Sequence, residues 1–240
     1  IGVRTGYNNQ EQDSISVGNS AGYETQGVNS IAIGRESGNN TQGTNSIAVG
    51  FQAGNNTQGT YSIAVGFQAG NLTQSIECVA LGNTAGKTTQ GERSVAVGAG
   101  CGTITQGQKS VAIGYLSGNN NQGDLSVSIG NEAGRISQGD RGIAIGNTSG
   151  YNNQGVDAVS VGRACGYNNQ GIEAVAIGPY SGNSNQGAYS ICIGSKAGLT
   201  ASTTNSIILN GSGINLPSAN PGFYVKPIRS VADVSTLETL

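Results

Sequence analysis

The sequence has no tryptophan, no methionine and no histidine, and only 10% of its 240 residues are charged. Each shortage removes a class of function. Without histidine the usual nucleophile–base triads are unavailable. A net charge of −2 leaves no electrostatic footprint for nucleic acid or for an anionic membrane surface. No apolar run approaches the length of a spanning helix, so no membrane insertion is expected. Low charge with many small polar residues is a composition compatible with disorder, but the order of the residues argues against it.

What is abundant is glycine, at 41 residues, and its placement is periodic. Ser46-Ile47-Ala48-Val49-Gly50-Phe51-Gln52-Ala53-Gly54-Asn55 recurs without change from Ser62 to Asn71. One glycine column steps by sixteen residues from Gly2 to Gly194, a second from Gly6 to Gly198, and a glutamine column from Gln10 to Gln186. A period this short is too small for a helical pair and suits one turn of a β-solenoid. Within each unit two β-branched residues flank a small one, the strand pattern. Two glycines in every sixteen residues would ruin a helix but suit corners with positive φ. The expectation is an all-β chain, a parallel β-roll or β-solenoid of sixteen-residue coils over residues 1–210. Proline and aromatic residues then enter, and residues 211–240 read as a cap or neck. Val231, Val234, Leu237 and Leu240 permit a short helix there. The start in mid-repeat, without methionine, reads as a piece of a longer chain.

Roles within the unit follow from the pattern. Ile47, Val49, Ile63, Val65, Val95 and Val97 are expected to form the core of the coil. Ala48, Ala64 and Ala96, on the other face of the same strand, are expected to permit close packing between chains. Gly50, Gly54, Gly66 and Gly70 are expected at the turns. Two large apolar side chains per sixteen residues make a thin interior against the entropy of ordering the backbone, so burial between copies of the chain is expected. Thirteen coils at about 4.8 Å would make a rod of about 60 Å.

Candidate chemistry is sparse. Cys78, Cys101, Cys165 and Cys192 fall in different coils and replace small residues, which fits small buried hydrophobes better than redox or metal chemistry. Asp157 and Glu173 share a column one coil apart, and a solvated edge describes them better than a catalytic pair. Gly98-Ala99-Gly100-Cys101-Gly102 lacks the dinucleotide fingerprint and a following helix. Sequons occur at Asn39, Asn55, Asn71, Asn147 and Asn210. The variable slots before each core strand, such as Glu92-Arg93, Gln108-Lys109, Asp140-Arg141 and Ile172-Glu173, are expected to face solvent, where a partner would read them. A threonine column runs from Thr25 to Thr105 and then gives way to Asn121, Ser137 and Asn153; a regular row of this kind brings ice binding into consideration. No catalytic residue, cofactor or metal site is expected, and no nucleic-acid partner.

Asn45-Ser46-Ile47-Ala48-Val49-Gly50, recurring along the chain, resembles the head repeat of trimeric autotransporter adhesins, the YadA-like family. That resemblance implies left-handed parallel β-rolls that form homotrimers and bind host or matrix surfaces through protein or glycan. The uniform sixteen-residue unit and its Gln-Gly turn depart from the shorter repeats usual there. Asn205-Ser206-Ile207-Ile208-Leu209-Asn210 followed by Gly222-Phe223-Tyr224-Val225-Lys226-Pro227-Ile228-Arg229 is similar to fibre proteins of large DNA viruses, in which such a segment often precedes a self-cleaving chaperone. Together these imply a non-enzymatic trimeric fibre or spike on a virion surface, attached to a host surface, with a bacterial adhesin head as the alternative.

Overall fold

Each sixteen-residue unit makes one rung of two short strands, and the rungs stack in parallel with every residue above its equivalent sixteen places on. The computed structural model describes residues 1–228; the stretch from Val231 to Leu240, where the sequence permits a short helix, lies outside them. Strands equivalent to Ile47–Val49 form a fourteen-stranded parallel sheet from Ile15–Val17 to Phe223–Lys226, here the IAV ladder. Strands equivalent to Thr57–Gln58 form a twelve-stranded parallel sheet from Asn9–Gln10 to Ser184–Gln186, here the TQ ladder. The register is uniform: Ile47 pairs with Ile63, Ala48 with Ala64 and Val49 with Val65, while Thr57 pairs with Thr73 and Gln58 with Gln74. The described residues contain no helix.

The first glycine of each unit is required twice over. Gly50 has φ +129°, and a Cβ there would stand 2.4 Å from the carbonyl oxygen of Gly66 in the next rung. Gly66 repeats this, with φ +136° against Gly82. Gly54 and Gly70 lie in the left-handed region, each at φ +53°.

The structure reverses the two faces of the IAV strand relative to the sequence-based expectation. Ala48, Ala64 and Ala96 are fully buried inside their own chain, in one cluster with Ala53, Ala69, Ala80, Ala85, Cys101 and Ala112. Ile47, Val49, Ile63, Val65, Val95 and Val97 flank them on the outer face and are only half-buried. The reason is width. The space between the two ladders accepts a methyl group on one side and a glutamine on the other. Gln58 crosses that space, and its Nε2 donates to the carbonyls of Ile47 (2.7 Å) and Ser62 (3.3 Å). Isoleucine and valine would overfill it, so the strand turns its small residue inward.

At the C-terminal end the interior changes. After the last TQ strand the IAV ladder continues for three more strands, pairing Ile191 with Ile207 and Ile207 with Phe223. Ile208 takes the inward slot and is fully buried with Cys192 and Ala197, and Leu216 and Tyr224 pack against them. Larger side chains fill the coil where the opposing glutamine strand has stopped.

Candidate interaction surfaces

Strand alternation, with alanine held inside, forces two residues per rung outward on the IAV ladder. Down the first column stand Ile15, Ile31, Ile47 and their equivalents to Phe223; down the second, Val17, Ile33, Val49 and theirs to Val225. Every position in both columns is Ile, Val, Leu or Phe. No charge or hydroxyl interrupts them over fourteen strands. Members of the second column such as Ile33, Ile145, Ile177 and Ile193 remain 37–39% exposed. An unbroken apolar stripe along a whole rod is the mark of an interaction surface.

The outer face of the TQ ladder is polar. Thr25, Thr41, Thr57, Thr73, Thr89 and Thr105 stand in one register. Beside four of them runs an open groove of about 590 Å³, bounded by Ile76, Glu92, Gln108 and Asp124. The row does not continue. Asn121, Ser137, Asn153, Asn169 and Asn185 occupy the same column at φ +52° to +56°, and only their neighbours pair, Asn120 with Ile136 and Gln122 with Gln138.

The variable slots lie at exposed turns and pair along the rod axis. Arg93 reaches Glu77 at 2.7 Å and Glu92 at 3.0 Å. Arg141 grips Asp157 through two bonds of 2.6 and 2.7 Å. Asp157 is therefore held as a carboxylate: the hydrogen bond from Arg141 lowers its pKa.

Sequence reasoning missed the stacked aromatics at these turns. Phe51 and Phe67 stack at 5.3 Å and Tyr151 and Tyr167 at 4.8 Å. Arg35 lies over Phe51 and Arg135 over Tyr151. The signal was present, since an aromatic repeated sixteen residues on must lie over its copy.

All four cysteines are buried and unpaired. Burial pushes the thiol of Cys101 up to about 12 and those of Cys165 and Cys192 to about 11; it raises Cys78 as well. These thiols stay protonated at neutral pH and lack the thiolate that nucleophilic or metal chemistry needs. The sequon asparagines are also occupied. The amides of Asn39, Asn55 and Asn71 donate to the carbonyls of Ser20, Glu36 and Gln52 at 2.8–2.9 Å. Asn210 is buried, and its amide bonds to Ser195 and Ile214. Among the described residues no cluster of three or more acidic, cysteine or histidine side chains could hold a metal, and no helix is long and apolar enough to cross a membrane.

The family model described as the YadA head domain repeat matches two copies, at residues 26–53 and 42–69. Their starts differ by 42 − 26 = 16 residues, the rung period. Residues 26–69 are thus similar to YadA head repeats, and the same rung geometry continues on both sides of the matched span. A comparison with curated proteins finds no match.

Proposed function

We propose that this chain is a non-enzymatic attachment rod that works as a homotrimer, wound left-handed, and displayed on a surface. The observation that carries the self-association is the stripe of two apolar columns on the IAV ladder, uninterrupted from Ile15–Val17 to Phe223–Val225. A lone chain would leave that stripe in water. Around an axis parallel to the rod, the first column of one copy meets the second column of the next, and three copies close the ring. The packing role expected of Ala48, Ala64 and Ala96 passes to Ile47, Val49 and their equivalents. The turns with the stacked aromatics, the paired arginines and the polar TQ ladder then face outward, free to engage a host-surface protein or glycan.

The place of display is a virion surface, as the similarity of the C-terminal segment to viral fibres supports, with residues 211–240 as its cap or neck. The YadA head match favours a second reading, a bacterial adhesin head; a coiled-coil stalk and membrane anchor encoded alongside would decide for it. The first test is mass in solution by light scattering. The expected value is three times 24.0 kDa, and Val65→Glu, which puts a charge in the stripe, is expected to give single chains that keep their β-sheet circular dichroism. A wild-type mass of one chain at micromolar concentration overturns the reading.

A further inference from the structure

At the C-terminal end the stripe is no longer flat. Phe223 ends the first column and is 64% exposed, far more than the half-buried isoleucines and valines below it. Tyr224, the next residue, turns inward onto Ile208, so the strand holds Phe223 outward. At the top of the second column there is a notch of about 390 Å³, walled by Ile193, Leu209, Val225 and Pro227. Pairing in register places Phe223 beside Ile207 and Val225 beside Leu209. The projecting ring and the notch therefore sit at the same level on the rod, on opposite columns of one strand.

We infer that Phe223 of one copy seats in the notch of the neighbouring copy and locks the C-terminal end of the assembly. This rests on the self-association proposed above. Both parts are apolar, so the match needs no charge. One strand cannot fold its own Phe223 across to its own second column, because residues two apart on a strand stand side by side on one face. A second copy rotated about an axis parallel to the rod brings the two together without sliding. Equal height is the condition for a head-to-tail contact to close into a ring instead of climbing into a filament. An antiparallel contact, about an axis across the rod at this level, would instead set first column against first column and Phe223 against the partner's Phe223.

Cysteine cross-linking of the full chain tests the geometry. When Phe223→Cys chains and Leu209→Cys chains are refolded together and oxidised, the expected product is a 223–209 adduct on a denaturing gel, with no 223–223 dimer from Phe223→Cys alone. Phe223→Ala is expected to raise the concentration at which the assembly dissociates by tenfold or more. Phe223→Leu should restore most of the loss. Unchanged dissociation of Phe223→Ala with no mixed adduct, in a wild type of three-chain mass, overturns the seating alone. A 223–223 dimer overturns it in favour of an antiparallel contact. A wild-type mass of one chain overturns both this inference and the self-association beneath it.

Discussion

The lower and upper halves of the TQ ladder have the same period and pairing partners but different backbones. From Thr25–Gln26 to Thr105–Gln106 each strand has two residues, and the threonine is extended. From Asn120–Gln122 to Ser184–Gln186 each has three, and the middle residue is left-handed. The seam between them pairs through Gln106 and Gln122 alone. A β-branched residue resists the left-handed region, whereas asparagine and serine, whose short polar side chains bond locally, tolerate it better. Threonine in this column goes with the extended form, while asparagine takes both: Asn9 is extended and pairs with Thr25, and Asn153 is left-handed. The upper form gains an amide ladder, Asn153 to Asn169 to Asn185 at 3.1 and 3.0 Å. The lower form carries the groove beside Thr57, Thr73, Thr89 and Thr105.

The largest expected effect should ignore this difference. Gly50→Ala in the lower half and Gly146→Ala in the upper each force a Cβ within 2.4–2.5 Å of the next rung's carbonyl oxygen at φ +127° to +129°. Strain and overpacking together should cost about 3 kcal/mol or more in either half, read by urea denaturation at fixed protein concentration. A large inequality between the two would mean that the halves differ in more than the TQ column.

Next comes the exchange between columns, which should be asymmetric. Asn153→Thr puts a β-branched residue into the left-handed region and breaks the amide ladder, at a cost of about 1–2 kcal/mol. Thr57→Asn puts a tolerant residue into an extended site and should cost about 0.5 kcal/mol. Equal losses would show that the column does not choose the backbone.

A smaller effect, cutting across the halves, concerns the inward glutamines. Where the inward IAV residue is serine, its hydroxyl donates to the glutamine Oε1 ten residues on: Ser16 to Gln26, Ser128 to Gln138 and Ser160 to Gln170. Where it is alanine, Gln42, Gln58, Gln74, Gln106, Gln122 and Gln186 have a buried Oε1 without a partner. Gln90 and Gln154 instead accept from the glutamine one rung below. Ala48→Ser is expected to stabilise by about 1 kcal/mol and Ser128→Ala to destabilise by about as much, both seen as shifts in denaturation midpoint.

The effect expected to be nil at neutral pH involves the thiols, two in each half. In the unfolded chain they ionise near their ordinary value of 9.0, while burial holds the folded thiols protonated up to about 11–12. The unfolded state therefore loses protons first as pH rises. The thiols' contribution to stability should be level below pH 9 and fall between about 9 and 12. Cys101→Ala should flatten part of that fall, and an unchanged alkaline slope in this variant would remove the thiols as its cause.

Much of this fold was legible from spacing. An unbroken period of sixteen can only stack like over like, because a slip of one residue would reverse every strand face beyond it. From that follow the parallel ladders, the glycine corners and the dispersal of the four cysteines over separate rungs. The aromatic stacks followed too, though only from asking which residue repeats at the same column.

Other features needed the folded coil. Alternation divides Ile47, Ala48 and Val49 between two faces, but it carries no label for inside. The distance between the ladders assigns it, by leaving room for alanine or serine opposite a glutamine and none for isoleucine or valine. The same closeness decides which glutamines find a hydroxyl. Period is a property of the chain and can be counted along it; width is a property of two ladders facing each other and exists only after they have met.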